Sequence, residues 1–220
     1  MELRQLTTDL DRALFCQMTR MARAEWSGSF KDTKFSKISE IQLKFARLFA
    51  LYDETSSKFP EPVGGFSLLA LNEYAQTFPT PDVSSYSSQE VFEGGQFWSR
   101  DADSAILVRK GCMIALTLLQ ARAFLIYPMV IPNDISRLYR RFRRVGGPFK
   151  LHFAKTLQDE VIWLQPMILD GESLSAEKNR VVRYGFACSG APATITFSRS
   201  AKSYIEDGAT LNLSDDVTIN

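Results

Sequence analysis

Histidine is almost missing from this chain of 220 residues, where His152 stands alone. One imidazole cannot build the multi-histidine ligand sets that catalytic zinc sites favour. No G-x-S-x-G segment is present to seat a nucleophilic serine, so a hydrolase triad has no support. On the strand-like FKLHFAK, His152 reads as a hydrogen-bonded structural residue before it reads as a catalyst. Cysteine is scarce as well. Cys16, Cys112 and Cys188 are scattered, odd in number and without a CxxC. That argues against a disulfide framework or a zinc site, and a reducing cytoplasm is the expected location. No metal is expected. Neither sign of charge dominates, since 26 basic residues face 25 acidic ones. No global field therefore draws the chain to nucleic acid. A long apolar run is absent too. The best stretch, Met113 to Ile131, is broken by Gln120, Arg122 and Pro128, so no membrane span is expected. The opening MELRQLTTDLDRALF carries acids and no unbroken apolar core, unlike a signal peptide.

What is present is an ordinary globular composition, 45% hydrophobic and 23% charged, long enough to bury a sizeable core. Thr8-Asp9 can cap a helix over about Leu10 to Trp26, with Leu10, Leu14, Met18 and Met21 at helical spacing. A mixed element from about Ile38 leads into a strand within Lys44 to Asp53. ETSSKFPEPVGG is a turn by its Pro and Gly content, and GFSLLALNE is the next strand. VFEGGQFW is a further strand. A long helix follows over about Ala105 to Ala123, with Asp103 or Ser104 as its cap. FLIYPMVIP, Phe124 to Pro132, suits a buried strand. ISRLYRRFRRV reads as a helix stopped by Gly146-Gly147-Pro148. FKLHFAK and VIWLQPMIL are two more strands, and short strands are expected within RVVRYGFACSG and ATITFSRS. The sum is a mixed α/β protein with a strand-helix-strand unit in its middle.

The local sequence then resembles one family. VFEGGQFW followed by a long helix, and then FLIYPMVIPNDISRLYRRFRRVGGP, are similar to segments of the acyl-homoserine-lactone synthases and N-acyl amino acid synthases, a branch of the GNAT-fold acyltransferases. Glu93 matches that family's acid and Phe97 its aromatic residue. Arg137, Arg141 and Gly146-Gly147-Pro148 resemble its R-x-x-x-R…G-P segment. The resemblance covers roughly Lys44 to Leu169. It implies an α/β fold of GNAT type, a mixed central sheet with splayed middle strands flanked by helices. Residues 1–170 would form that domain. Residues 171–220 would be a C-terminal extension packed on it or continuing it. The chain departs from the family at Gly95-Gln96, where Ser-Arg is usual. The family's N-terminal Arg…Phe…Trp loop has only Arg23, Trp26 and Phe30 at other spacing, and Tyr52-Asp53-Glu54 is the nearest trace of its acidic segment.

The implied reaction moves a fatty acyl group from an acyl-carrier-protein or acyl-CoA thioester to a small amine, giving a homoserine-lactone or amino-acid type product. Such an amine must shed a proton to attack, and a carboxylate takes it. Glu93 is the candidate base, with Glu90 second. Alternation along the strand puts Val91, Glu93 and Gly95 on one face. The glycines could mark a bulge or close approach of another backbone, such as a thioester arm, or a simple kink. The strand Phe124 to Ile131 would wall the other side of the cleft, with Phe97, Tyr127, Met129 and Val130 as donor contacts. SRDADSAILVRKG lacks a glycine-rich diphosphate loop. Arg137, Arg140, Arg141 and Arg144, on one helical face, would meet the donor's phosphate or an acidic carrier protein, or else form a solvated basic face. Two other readings stay open: a GNAT-like binding or regulatory module without turnover, and an acetyl-CoA-dependent N-acetyltransferase. Cys112, Trp98, Phe149 and Trp163 read as core, although some aromatic residues could line an acyl tunnel.

Overall fold

The computed structural model describes residues 2–26, 45–52, 62–71, 90–128, 140–154, 159–182, 186–189 and 194–197. In chain order these form β1 (Glu2–Leu6), α1 (Asp9–Trp26), β2 (Arg47–Tyr52), β3 (Pro62–Ala70), β4 (Val91–Ser99), α2 (Ala102–Leu118), β5 (Ala123–Ile126) and β6 (Arg143–Arg144). β7 (Phe149–Ala154), β8 (Asp159–Leu164), β9 (Met167–Asp170), α3 (Gly171–Val182), β10 (Phe186–Ser189) and β11 (Thr194–Phe197) complete them. Nine strands make one sheet in the order β10-β11-β1-β2-β3-β4-β5-β9-β6, and β7-β8 is a separate hairpin. Every neighbouring pair is antiparallel except β4 and β5, which α2 joins as a crossover.

Alternation along the strands builds two cores, one on each face of the sheet. Leu48, Ala50, Tyr52, Leu69 and Trp98 meet Leu6 and Phe15 on the α1 side. Phe49, Leu51, Phe66, Leu68, Ala70 and Phe92 meet Val108, Ile114 and Leu116 of α2 on the other. Fully burying side chains of this size contributes about 1.5–3 kcal/mol each. β1 is a strand that the sequence reading missed. It is short, and its two buried residues, Leu3 and Leu6, face opposite sides of the sheet, so no period-2 apolar pattern marks it. The buried stripe of α1 also differs from the expected one. Phe15 and Thr19 are buried, with Met18 and Ala22 packed beside them, whereas Leu10 is 80% exposed and Met21 50%. Two neighbouring stripes of α1 are both apolar enough, and helical period alone cannot say which meets the sheet.

The start of α1 and both ends of α2 carry identifiable caps. Thr8 Oγ1 accepts from Asp11 N at 3.1 Å, and Asp11 Oδ2 accepts from Thr8 N at 3.2 Å, a reciprocal capping box. α2 starts earlier than Ala105 because Asp101 caps it, its Oδ1 accepting from Ser104 N at 2.7 Å. It ends in a Schellman turn. Ala121 N donates to Leu116 O at 2.9 Å, Gln120 N to Thr117 O at 3.0 Å, and Gln120 takes a left-handed φ of 54°. The Ser104 hydrogen bonds hold the Asp101 carboxyl below its usual value of 3.8. A lowered carboxyl stabilises the fold above the unfolded value and loses that contribution as the pH falls through the folded one. Asp101→Ala is expected to cost about 1 kcal/mol at neutral pH. Urea unfolding should detect that difference at pH 7 and find it shrinking below about pH 4. An equal loss at pH 2 would contradict the cap.

Two further expectations change. VIWLQPMIL is not one strand but β8 and β9, separated by Gln165-Pro166; proline has no N–H to continue a ladder. The basic segment is not one helix as far as Val145. Arg140 and Arg141 lie in a turn, and Arg143-Arg144 is strand β6, paired with Ile168 and Met167 of β9. The backbone hydrogen bonds available along β9 outweigh a helical preference in so short a run. α3 packs against β9 and α2, and β10 and β11 extend the sheet beyond β1.

Candidate active site

The site forms where β4 and β5 part. Their register pairs are Val91 with Ala123, Phe92 with Phe124 and Glu93 with Leu125, and among the described residues there is none beyond. Each strand past that point is held by its other neighbour. Ile126 pairs with Met167, and Pro128 O accepts from Gln165 N at 3.1 Å, which keeps β5 beside β9. β4 stays with β3, where Leu69, Leu68 and Ser67 pair with Glu93, Gly94 and Gly95. Among the described residues, Gly94 to Ser99 therefore have no strand partner on the β5 side, and this parting of the two strands is termed the gap.

Glu93 stands at the last paired position before the gap. It is 6% exposed, and it faces the α1 side with Val91. Its strand neighbours are Leu69 and Leu125. Tyr127, just past β5, packs beside Leu125, Val91 and Ile168 and lies edge-on to Phe149 at 5.8 Å. Burial, and secondly the nearby charge of Glu93, push the Tyr127 phenol well above its usual value. Tyr127 is thus a neutral donor at any physiological pH. Burial likewise raises the Cys112 thiol, which sits in the core under α2. For both groups the unfolded chain ionises first, so stability is full below the unfolded values of about 9 and 10 and falls as the pH rises past them. The expected slope is about 1.4 kcal/mol per pH unit for each. Chemical denaturation between pH 8 and 11 tests this, and Tyr127→Phe should flatten the decline above pH 10. An unchanged slope in that variant would refute it.

The first of the two glycines is explained by its neighbours. A Cβ on Gly94 would lie 2.4 Å from Phe124 Cε2 and 2.5 Å from its Cζ, so the Phe124 ring fills that side-chain space. Phe124 in turn meets Phe142 at 6.0 Å. The bulge sits just after the glycines. Gly65 pairs with Trp98 and Ser67 with Gly95, so Gln96 and Phe97 together oppose Phe66. Gln96 takes a φ of 52°. The extra residue inverts the alternation. Phe97 is carried to the α2 side, where it stacks on Phe66 at 5.9 Å and is 40% exposed. Trp98 is carried to the α1 side, 8% exposed and in edge contact with Phe15. The Gly-Gly pair was the available signal for this bulge, but the position of the inversion was not legible.

The other expected site residues fall as follows. Glu90 precedes β4 at the paired end, away from the gap, with Arg122 Nη1 at 3.5 Å from its Oε1. Arg141 bonds Glu177 of α3, and Arg143 bonds Asp170. Arg140 and Arg144 are exposed. Exposed ion pairs of this kind contribute little to stability. Arg137, Met129 and Val130 lie outside the described residues. His152 is on β7, opposite Val161, in the separate hairpin. Among the described residues no group of three His, Cys, Asp or Glu could hold a metal, and no helix is long and apolar enough to cross a membrane.

A largely antiparallel sheet with one short parallel pair, bridged by a helix and parting after three register pairs, is the arrangement of the GNAT fold. Solved structures of such proteins are similar to this chain. An N-acetyltransferase from Staphylococcus aureus Mu50 is 14% identical, with a TM-score of 0.47 over 77% of this chain and 98% of that one. The N-acyl amino acid synthase FeeM from uncultured soil microbes is 12% identical, with a TM-score of 0.49 over 80% and 94%. The CoA-dependent acyl-homoserine lactone synthase MesI is 16% identical, with a TM-score of 0.39 over 63% and 70%. All three scores are below 0.5, and the fold is defined by the strand order and the parted pair. No protein-family model matches the chain, and no curated protein matches its sequence.

Proposed function

We propose that this protein transfers an acyl group from a thioester, carried on acyl carrier protein or CoA, to a small amine. The observation that carries the reading is the position of Glu93, a buried carboxylate at the last paired residue before the gap between β4 and β5. A thioester arm entering that gap can bond to strand backbone in the manner of strand addition. The acceptor amine approaches from the α1 side, where Glu93 takes its proton. Nitrogen then attacks the thioester carbonyl, the C–N bond forms, the C–S bond breaks, and the leaving sulfur takes up the second proton that nitrogen sheds, so the products are the amide and the free thiol. Tyr127, held neutral, can offer its O–H to the departing sulfur. Phe97 and the stacked Phe66 and Phe49 behind it offer an apolar wall on the α2 side.

The donor is read as carrier-bound before CoA. Asp101 already occupies the Ser104 N–H at the start of α2, and Asp103 adds a second negative charge there. Two carboxylates oppose a diphosphate at a helix start that would otherwise attract one. Arg140 and Arg144, both exposed, are cations left for an acidic carrier. The working location is the cytoplasm, where such donors are made. The test incubates the protein with long-chain acyl-carrier protein, acyl-CoA and acetyl-CoA against mixed amines and reads products by mass spectrometry. A long-chain N-acyl product is expected. Product only from acetyl-CoA would replace this reading with N-acetyl transfer. No product from any donor, with no thermal shift by CoA, would leave the non-catalytic module as the reading.

A further inference from the structure

β5 and β9 keep one register beyond their ladder. Ile126 pairs with Met167, so two residues on Pro128 stands opposite Gln165, and Pro128 O accepts from Gln165 N at 3.1 Å. On the other side of β9, Arg144 pairs with Met167, and Val145 N donates to Pro166 O at 3.0 Å. An antiparallel ladder matches such a donation with one in return. Pro166 has no N–H to return. The ladder between β9 and β6 is thus short of a donor beside the stretch of chain that has left β4.

The side chain of Gln165 supplies donors there. Its Nε2 donates to Gly146 O at 3.2 Å and to Pro166 O at 3.0 Å. A side-chain NH2 carries two N–H groups, and these two carbonyls take both. Gln165 is 4% exposed. A buried amide is costly unless it is hydrogen-bonded, so these bonds fix its position. The backbone N–H of the same residue is then aimed at Pro128 O. Pro128 in turn biases Tyr127 before it to extended backbone. Tyr127 and Val145 pack on one cluster with Leu125 and Ile168. Three segments therefore meet on one buried residue: the end of β5, the turn after β6, and the break between β8 and β9.

We propose that Gln165 is a positioning residue, whose side-chain amide holds the end of β5 on β9 and so keeps β4 and β5 parted for the thioester donor. The donor in this statement rests on the acyl-transfer reading, but the first test does not need turnover. Gln165→Met keeps the length of the side chain and removes both donors. Amide hydrogen exchange is followed by NMR in parent and variant. Protection of the residue 165 backbone amide should fall about tenfold, the ratio that one lost hydrogen bond implies. The amides of β3 and β4 should keep their parental protection. An equal fall at all of these positions would be a general loss of stability and would overturn the proposal. Unchanged protection at residue 165 would overturn it too.

The second test reads the gap. An alkyl-pantetheine thioether, which cannot transfer its chain, stands in for the donor. Gln165→Met should raise its Kd about tenfold, and in turnover should raise the donor KM by the same factor. The KM for the amine should stay that of the parent, because Glu93 is held by β3. An unchanged Kd beside a lowered protection at residue 165 would overturn the positioning role. A parent that binds no thioether and forms no product would remove the acyl-transfer reading, while the protection at residue 165 still decides whether this side chain holds β5. If Gln165→Met does not fold, Gly146→Ala takes its place. Nothing lies within 4 Å of the new Cβ, but alanine at a φ of +72° strains the turn that presents the Gly146 carbonyl. The same pattern of lost protection and weakened thioether binding is expected, and its absence would overturn the proposal.

Discussion

Glu93→Gln is expected to lower kcat for acyl transfer by about 10²–10⁴-fold with every competent amine, the range for loss of a general base. The amide keeps the size of the side chain and so keeps the packing between Leu69 and Leu125. It cannot accept the proton that the ammonium form of the acceptor must lose. Circular dichroism and donor binding should stay those of the parent, while product formation by mass spectrometry falls. The split of the parameters is informative. A drop confined to kcat identifies proton removal, and a rise confined to KM would make Glu93 a positioning residue for the ammonium group. Full turnover in the variant would end the assignment. Glu90→Gln serves as the comparison. Its partner is Arg122 and it lies at the closed end of the β4–β5 pair, so little change in turnover is expected.

Gly94→Ala should cost about 1–3 kcal/mol, the usual range for overpacking, and lower Tm by roughly 2–10 °C in a chain of this size. The new Cβ would meet Phe124 at 2.4 Å, far inside the 3.5–4.0 Å of a normal carbon contact. Phe124 cannot simply swing away, because it is 3% exposed and meets Phe142. The strain would fall on the Phe92–Phe124 pair, next to the residue that holds the base. Turnover should therefore fall with stability. Adding Phe124→Leu should recover much of both, since the smaller side chain vacates the space beyond Gly94. A Gly94→Ala protein as stable as the parent would show that the ring has room to move, and would remove the packing account of this glycine.

These two residues also mark the limit of sequence reading. VFEGGQFW was legible as a strand, and Glu93 as its acid, because one carboxylate in an apolar strand is visible in one dimension. The role of Gly94 was not. A bulge, access for a ligand arm and a local kink are all compatible with its sequence, yet its space belongs to Phe124, thirty residues on in the chain and opposite Phe92 in the sheet. A bulge at the glycines is among the readings the sequence allows, but its position one residue further on is not encoded locally. The bulge at Gln96 and Phe97 exchanges the faces of everything after it, so Trp98 belongs to the α1 side. The basic run failed for a related reason. Three- and four-residue spacing put Arg137, Arg140, Arg141 and Arg144 on one helical face. Pairing with β9 makes Arg143 and Arg144 a strand, and Glu177 and Asp170, far along the chain, take Arg141 and Arg143.

By itself the sequence determined the α/β class, the crossover of α2 between β4 and β5, and the acid on β4. These follow from local signals: period, caps, turn residues and one charge where none is expected. Only the tertiary structure decided where the sheet opens, which stripe of α1 is buried, and which acids Arg141 and Arg143 meet. Each of those depends on the competing hydrogen bonds or packing of a distant segment, and no local pattern encodes the winner. Glu93 was visible from the start; its place at the edge of a gap exists only because β5 follows β9 and β4 follows β3.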